Sequence, residues 1–204
     1  MNVGLFGFGA HGRDIYEQWN RCHKLDKLRI FDENPDLGHA LRPPEGLPCF
    51  IGINHPAERR RAAQRLRIAP APPLIDPSAN VGHDCEVGGG AVVAAGALLL
   101  HDVVIGKHSH INYLASMTRT WLGDFVTVCP GVTICGDVEI GDECLIGAGA
   151  VICNLVTIGS GVTIGAGAVV APGISIPDGA TMLGLPAKPH PGATSLPWRR
   201  EARR

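Results

Sequence analysis

Two dipeptides that each join a histidine to an aspartate stand eighteen residues apart in the chain, His83-Asp84 and His101-Asp102. Arg119 follows His101 after the same interval. A histidine can take a proton from an amine or a hydroxyl near neutral pH, and a neighbouring carboxylate can orient its ring. A guanidinium can neutralise ligand charge or stabilise an oxyanion. These groups can act together only if the structure repeats every eighteen residues and stacks them on one edge.

A repeat of this kind runs through most of the chain. Aliphatic residues recur every six positions from Ile75 to Met117 and again from Leu122 to Met182, which makes nineteen positions with one step of five. Glycine often follows the aliphatic residue, and a small or β-branched residue often stands four positions after it. An amphipathic helix would repeat near 3.6 residues and an ordinary strand near 2. The pattern predicts a parallel β-helix in which three six-residue units form one triangular coil.

This register places His83, His101 and Arg119 in one column, with about 4.8 Å between coils. The step of five falls beside that column, and Trp121 is expected to plug the shortened turn. Each of these histidines could instead be a solvated turn residue, and Arg119 a solvated charge.

The first seventy residues follow a different pattern. "NVGLFGFGAHGRDIYEQW" predicts a strand, a glycine-rich turn and a helix, and Gly7, Gly9 and Gly12 have the spacing of a nucleotide-binding loop. "LRIFDEN" predicts a second strand ending at Asp32, "PCFIGIN" a third, and "HPAERRRAAQRLR" a second helix. The βαβαβ unit is half of a dinucleotide-binding domain, so a mononucleotide suits it better than NAD. The alternative is a tight turn that binds nothing.

The sequence therefore predicts a Rossmann-like domain over residues 1–70, a β-helix domain over residues 74–188 and a flexible tail over residues 189–204. "APAPP", residues 69–73, is predicted to be a stiff linker. The arginines of the second helix are expected to form a solvated face: Arg59, Arg60, Arg61, Arg65 and Arg67.

Bulk composition narrows the possible partners. The net charge of −1 gives no reason to expect nucleic acid or a membrane surface. No apolar run is long enough to span a bilayer, and the N-terminus lacks the pattern of a signal peptide. Seven cysteines without C-x-x-C spacing indicate reduced thiols that fill the core and turns of a cytoplasmic protein.

The order of several short motifs resembles the NeuD/PglD family of bacterial sugar acyltransferases. The matching stretches are "GFGAHG", "FDENP", "FIGIN", "LIDPSA", "VCPGVTICGDVEIGDECLIGAGAVI", "VTIGAGAVV" and "GLPAK". The family usually has a histidine where Asp76 stands in "LIDPSA". The resemblance covers residues 1 to about 188.

The resemblance implies a left-handed β-helix, a homotrimer, and acetyl-CoA or another acyl-CoA lying between neighbouring prisms as co-substrate, with no metal. It implies that the N-terminal domain holds a sugar or sugar nucleotide. The residues it implies for that site are Gly7, Gly9, His11, Gly12, Asp32 and Asn54. Those it implies for CoA are Gly136 at the acyl group, Ala148 and Ala166 at the pantetheine arm, and Lys188 near the adenine.

One departure from the family concerns the chemistry itself. The family's catalytic histidine corresponds to Thr118 or Arg119, depending on the direction of counting, and its second histidine corresponds to Thr127. We therefore hypothesise that His101, oriented by Asp102, is the general base, displaced by one coil. Arg119 would then neutralise charge or stabilise an oxyanion.

His108 and His110 could substitute for His101 as the base. The main functional hypothesis is an acyl-CoA-dependent transfer to an amino or hydroxyl group of a sugar or similar small acceptor. A second is a catalytically inactive trimer that binds the same ligands. A third is a trimeric zinc hydratase, but His101, His108 and His110 lack the spacing expected of its metal ligands.

Overall fold

The computed structural model describes residues 2–23 and 27–190 of the 204-residue chain. The N-terminal part contains a parallel sheet, sheet I, with strand order β2-β1-β3-β4. In chain order its elements are β1 (Gly4–Phe6), α1 (Ala10–Cys22), β2 (Arg29–Phe31), a 3-10 helix (Pro35–Leu37), β3 (Pro48–Ile51), α2 (Pro56–Arg65) and β4 (Ala69–Pro70). The three strands and two helices predicted from the sequence are all present.

The two central strands of sheet I, β1 and β3, are largely buried because they are short apolar runs. Every residue of β1 is buried, and the α1 side chains Ile15 and Trp19 cover one side of the sheet together with Phe50. The other side packs against Ala62 and Ala63 of α2. Both helices therefore bury their apolar residues against the sheet, as expected for amphipathic segments.

The rest of the described chain is a β-solenoid of hexapeptide units. Its strands are β5 (Leu74–Ile75), β6 (Asn80–Val81), β7 (Glu86–Val87), β8 (Val92–Val93), β9 (Leu98–Leu99), β10 (Val103–Ile105), β11 (His110–Ile111), β12 (Ser116–Met117), β13 (Thr120–Leu122), β14 (Thr127–Val128), β15 (Thr133–Ile134), β16 (Val138–Ile140), β17 (Leu145–Ile146), β18 (Val151–Ile152), β19 (Thr157–Ile158), β20 (Thr163–Ile164), β21 (Val169–Val170), β22 (Ser175–Ile176), β23 (Thr181–Leu183) and β24 (Lys188–Pro189).

These strands form three long sheets. Sheet II consists of β5, β8, β11, β14, β17, β20, β23 and β24; sheet III consists of β6, β9, β12, β15, β18 and β21; sheet IV consists of β7, β10, β13, β16, β19 and β22. All neighbours are parallel except β23 and β24. The turns between sheets form three edges, which we call the II–III, III–IV and IV–II corners.

The interior confirms the six-residue pattern. The aliphatic residues from Val93 to Met182 form one buried cluster, together with small residues four positions further on such as Ala115 and Ala150. Burial of each large aliphatic side chain contributes about 1.5–3 kcal/mol. Because the interior is filled by side chains, any ligand must bind on the outside, at a sheet face or a corner.

The segment predicted as a linker is ordered by both parts of the chain. Ala69 and Pro70 form β4 beside β3, and the Ala71 carbonyl accepts a hydrogen bond from Gly90 N–H at 2.5 Å. Arg21 of α1 also pairs with the buried Asp76 at 2.8 Å. The segment predicted to be a stiff linker is therefore packed against both parts of the chain.

No helix in the described ranges is long and apolar enough to cross a membrane. The predicted flexible tail, residues 189–204, lies outside the described residues from position 191 onward.

Candidate active site

The six-residue repeat is one residue short in the III–IV corner. Met117 pairs with Leu99, eighteen residues earlier, whereas Thr120 pairs with Val103, seventeen residues earlier. The coil is therefore shortened between Met117 and Thr120, and both flanking strands keep their inward aliphatic residues. Loss of one residue changes the corner and leaves the core intact.

This shift corrects the predicted column. His83 and His101 do occupy equivalent positions, because the strand pairs on both sides of them are eighteen residues apart. The next residue in the column is Thr118, whose Oγ1 lies 3.2 Å from His101 Nδ1. Arg119 instead takes the left-handed turn position, with φ of 40°, that Asp102 and Asp137 occupy in the adjacent coils.

The partners of His101 also differ from the prediction. Its exposed ring contacts the hydroxyl of Thr118, and among the described residues the carboxylate of Asp102 forms no hydrogen bond with the ring. Thr118 rather than Asp102 therefore stands where it can orient the imidazole. The role of His101 as a base stays a prediction.

Arg119 is held in place by the coil that follows. Its Nε donates to Asp137 Oδ1 at 3.0 Å and its Nη2 to Oδ2 at 2.9 Å, a bidentate pair in which both side chains are about half exposed. These hydrogen bonds raise the pKa of Arg119 and lower that of Asp137. The guanidinium lies over Gly136, where a Cβ would collide with it. Gly136, the predicted acyl contact, is thus buried beneath a cation.

Trp121 does not plug the shortened turn. It lies within β13, points away from the core and is 44% exposed on sheet IV. The turn closes instead through Thr120, whose hydroxyl donates to the Thr118 carbonyl at 2.9 Å.

The predicted CoA residues fall on two different corners. Ala148 and Ala166 are exposed in adjacent coils of the II–III corner, and Gly167 N–H donates to the Ala148 carbonyl at 2.9 Å. Gly136 lies in the III–IV corner, and Lys188 is exposed in β24 at the end of sheet II. One prism cannot present Gly136 and Ala148 to the same small ligand from a single edge.

The glycine-rich loop is shaped by close packing of backbone. A Cβ on Gly12 would overlap the Gly7 carbonyl, and one on Gly52 would meet the same oxygen. Asp32 accepts hydrogen bonds from Phe8 N–H at 2.6 Å and from Asn34 N–H at 2.8 Å. The predicted residues are therefore brought together, but a carboxylate already occupies one loop amide that a phosphate would use.

His11 of this loop faces the solenoid. Its Nε2 lies 2.6 Å from Nδ1 of His110 in β11, a contact that sequence reasoning missed because it joins residues 99 positions apart. Burial, with the charge of Arg59 adding to it, lowers the pKa of His11 to about 4. The same causes, led by burial, hold the pKa of His110 well below its usual value.

The two histidines kept as alternative bases are both inaccessible. His108 and His110 are 4% and 1% exposed, and the His108 ring stacks on Phe125 with centroids 5.2 Å apart. Burial, followed by the charge of Arg59, lowers the pKa of His108 to about 4. An acceptor outside the solenoid cannot reach either ring.

Arg59 corrects the expectation of a solvated arginine face. It has no exposure, and its guanidinium donates to the carbonyls of Ile53, Asn54, His108, Phe125 and Val126 and to the hydroxyl of Thr127, at 2.7–3.2 Å. Thr127 in turn donates to the Asn54 carbonyl at 2.9 Å. Thr127, which corresponds to the family's second histidine, is therefore part of a hydrogen-bonded contact between the two domains.

The other arginines of this region behave as surface charges. Arg60 pairs with Glu143, Arg65 with Glu33 and Arg67 with Glu45. Among the described residues, no group of three or more histidine, cysteine, aspartate or glutamate side chains is arranged to hold a metal ion.

Comparison with known proteins identifies the repeat. Residues 119–154 match the model of the bacterial transferase hexapeptide family. PerB from Caulobacter crescentus, a perosamine N-acetyltransferase crystallised with CoA and GDP-perosamine, is 28% identical, with a TM-score of 0.83 over 93% of this chain and 97% of its own. No curated protein matches the chain in a sequence search.

Two further solved structures match nearly the whole chain. The acetyltransferase domain of PglB from Neisseria gonorrhoeae is 29% identical, with a TM-score of 0.82 over 92% of this chain and 98% of its own, and was also crystallised with acetyl coenzyme A. WeeI from Acinetobacter baumannii, at 23% identity and a TM-score of 0.78 over 92% of this chain and 99% of its own, shares the fold.

The repeat and the solenoid define the class: the chain carries the hexapeptide repeat of bacterial transferases, and its full-length structural matches are sugar acetyltransferases, which supports an acyltransferase. Within that class, the full-length matches to acetyltransferases agree with the resemblance to the NeuD/PglD family seen in the sequence.

Proposed function

We propose that the chain transfers an acyl group, most simply acetyl, from CoA to an amino or hydroxyl group of a sugar or nucleotide-linked sugar. The observation that carries this proposal is the whole-length similarity to PerB, whose structure contains CoA and GDP-perosamine together. Both parts of this chain have counterparts in that match, since it covers 93% of the residues. We infer that the solenoid is left-handed and that sheet I belongs to a Rossmann-like domain, whose 2-1-3-4 strand order is that of a doubly wound fold.

The chemistry can be assigned to the III–IV corner. His101 takes a proton from the acceptor as its nitrogen or oxygen attacks the thioester carbonyl carbon. The bond to that carbon forms, the carbon–sulfur bond breaks, and the thiolate of CoA takes the proton from the imidazolium. Thr118 orients His101 at 3.2 Å. Arg119, the next residue in the same corner, would stabilise developing negative charge if its guanidinium turns from Asp137 towards the acyl group.

Two copies are needed to complete the site. Gly136 and His101 lie on the III–IV corner, whereas Ala148 and Ala166 lie on the II–III corner of the same prism. A narrow prism with a packed interior offers no groove between those edges, but a neighbouring prism does. This arrangement supports a homotrimer in which each CoA lies between the III–IV corner of one chain and the II–III corner of the next.

The N-terminal domain would hold the acceptor. Gly7, Gly9, Gly12 and Asp32 meet at one loop, which is fixed to the solenoid through His11. Asp32 already binds the Phe8 amide, so it favours recognition of a neutral hydroxyl or base edge beside the loop over a phosphate at that amide. Free thiols at all seven cysteines agree with the cytoplasm as the site of action.

The test is acetyl-CoA consumption on panels of amino and hydroxy sugars, including nucleotide-linked ones. His101→Ala is expected to lower kcat/KM by about 10²–10⁴-fold, the usual contribution of a general base. His83→Ala is the matched control, since it removes an exposed histidine from the same corner one coil earlier. Equal activities of the two variants would remove His101 from the mechanism.

A catalytically inactive trimer is the second candidate, and one observation favours it. Arg119 is tied to Asp137 directly over Gly136, where the acyl group would be expected. In that case no sugar in the panel would be acylated, yet CoA would still raise the melting temperature of the protein.

A further inference from the structure

His110 lies in strand β11 of sheet II, where helix α1 packs against the solenoid. Its ring is 1% exposed, and its Nδ1 lies 2.6 Å from Nε2 of His11. The other nitrogen of His110, Nε2, is buried as well and has no hydrogen-bond partner among the described residues. Two ring nitrogens at this distance share one proton, so one ring donates it and the other accepts.

The neighbours of His110 in the sheet explain why its Nε2 has no partner. On one side His110 pairs with Val92, whose side chain has no polar group. On the other side it pairs with Thr127, whose hydroxyl accepts from Arg59 and donates to the Asn54 carbonyl. That hydroxyl is therefore fully used, and the guanidinium of Arg59 is held one strand away from the His110 ring.

Both rings of the pair are neutral near pH 7. Burial, followed by the charge of Arg59, lowers the pKa of His11 to about 4 and holds that of His110 well below its usual value. A neutral imidazole carries one proton, on Nδ1 or on Nε2. The proton between the two rings therefore decides where the second proton of the pair lies.

The two possible arrangements differ in what they leave buried. If His11 donates from Nε2, then His110 carries its own proton on Nε2, and a buried N–H is left without an acceptor close to the charge of Arg59. If His110 donates from Nδ1, its Nε2 keeps only a lone pair, which a nearby cation favours. Buried N–H groups without acceptors are rare and costly. The second arrangement is therefore the more stable one.

We propose that His110 is a positioning residue for the glycine-rich loop: its Nδ1–H donates to Nε2 of His11 and holds His11 with its own proton on Nδ1. His11 stands between Gly9 and Gly12, in the first turn of α1, and is half-buried. Because His110 occupies Nε2, only Nδ1 of His11 is left for a ligand in the loop. The inference rests on the proposed binding of the acceptor at this loop.

This assignment gives two histidines separate roles. His11 presents an N–H to the acceptor, so it donates a hydrogen bond to an oxygen atom and does not take a proton. A hydroxyl or carbonyl oxygen of the acceptor can accept that bond, whereas an ammonium group has no lone pair with which to do so. Proton transfer during acylation stays with His101.

The positions of the protons test the first part of the proposal. Neutron diffraction from crystals of the perdeuterated, full-length protein at neutral pH should show deuterium on Nδ1 of both His11 and His110. Neither ring should carry deuterium on Nε2. Deuterium on Nε2 of either ring would overturn the proposal. The measurement needs neither a variant nor a substrate, so a variant that does not fold cannot affect it.

Kinetics test the second part, with the nucleotide-linked sugar that is acylated fastest in the panel above as acceptor. His110→Leu should raise the KM for this sugar about three- to tenfold, the contribution of about one neutral hydrogen bond. The kcat and the KM for acetyl-CoA should not change. His110→Asn, whose side-chain amide can donate in place of Nδ1–H, should bring the KM back to within about twofold of the wild type. His108→Phe is the control, since it replaces a buried histidine that stacks on Phe125 instead.

A double-mutant cycle shows whether His110 acts through His11. In a His11→Ala background, His110→Leu should have no further effect on the KM for the acceptor. Three results would overturn the proposal: additive effects of the two variants, failure of His110→Asn to restore the KM, or equal effects of His110→Leu and His108→Phe. If no sugar is acylated, the proposed function fails, while the neutron result still decides how the two rings share their protons.

Discussion

A single buried arginine joins the two domains without a carboxylate partner. Five backbone carbonyls from two coils and the loop after β3 accept hydrogen bonds from Arg59. Burial lowers its pKa to about 9, so the side chain remains charged at neutral pH. Carbonyl dipoles can solvate a buried guanidinium in place of water, provided that all its N–H groups are used.

Replacement of Arg59 by methionine should therefore lower the stability of the protein. Methionine fills the space but leaves buried carbonyls without donors, and we expect a loss of roughly 3–5 kcal/mol in the free energy of unfolding. Arg61→Met, on the exposed side of the same helix, should change stability by less than about 0.5 kcal/mol. Urea unfolding of both variants measures the difference. Equal urea midpoints for Arg59→Met and Arg61→Met would mean that the hydrogen bonds of Arg59 contribute nothing to the stability of the folded protein.

Two glycines of the glycine-rich loop differ in whether the surrounding structure has room for a side chain. Gly12→Ala would push a methyl group into the Gly7 carbonyl, whereas a Cβ on Gly9 meets nothing within 4 Å. We expect Gly12→Ala to cost at least about 2 kcal/mol. Gly9→Ala, at the N-cap of α1, should cost about 1 kcal/mol or less. Thermal unfolding distinguishes them, and a tolerated Gly12→Ala would show that the turn can relax.

At the scale of elements, helix α1 contacts strand β11 through His11 and His110, and a third histidine, the buried His108, lies two residues before that strand. Burial lowers the pKa of His11 and of His108 to about 4, against an unfolded value near 6.5. Because these pKa values are lower in the folded state, the stabilisation is complete above about pH 6.5. It is lost as the pH falls from about 6.5 towards 4.

Acid should therefore destabilise the protein in a defined window. Between about pH 7.5 and pH 5, His11 and His108 should each reduce the free energy of unfolding by about 2 kcal/mol. Replacement of His108 by phenylalanine should remove its share of that slope, while His83→Asn, on an exposed corner, should not. Urea titrations at both pH values provide the measurement. A slope equal in wild type and His108→Phe would contradict the assignment.

The repeat explains why most elements could be predicted from sequence. The six-residue period of aliphatic residues predicts burial, and each of these positions from Val93 to Met182 lies in the core, whereas Ile75 at the start of the solenoid is 36% exposed. The contacts between domains have no such signal. Arg59 has the same local context as Arg60 and Arg61, and only the tertiary position of α2 buries it. Likewise, the step of five predicted a fault near Thr118, but not which side chain would stand beside His101.

At the scale of the whole molecule, the site depends on how separated edges of the prism are brought together. His101 and Gly136 lie on the III–IV corner, and Ala148 and Ala166 on the II–III corner. If a ligand contacts both, it must bridge two chains, and defects on the two corners should then complement each other in mixed assemblies.

Two inactive variants provide this test, His101→Ala on one corner and Ala166→Trp, which blocks the other. Each homotrimer should be inactive. When equal amounts are unfolded together and refolded, an interface is intact only if an Ala166→Trp chain supplies the III–IV corner and a His101→Ala chain supplies the II–III corner. Random assembly makes about one quarter of the interfaces intact, so about one quarter of the wild-type activity should return. A site contained within one chain predicts no recovery, because every chain then carries a defect.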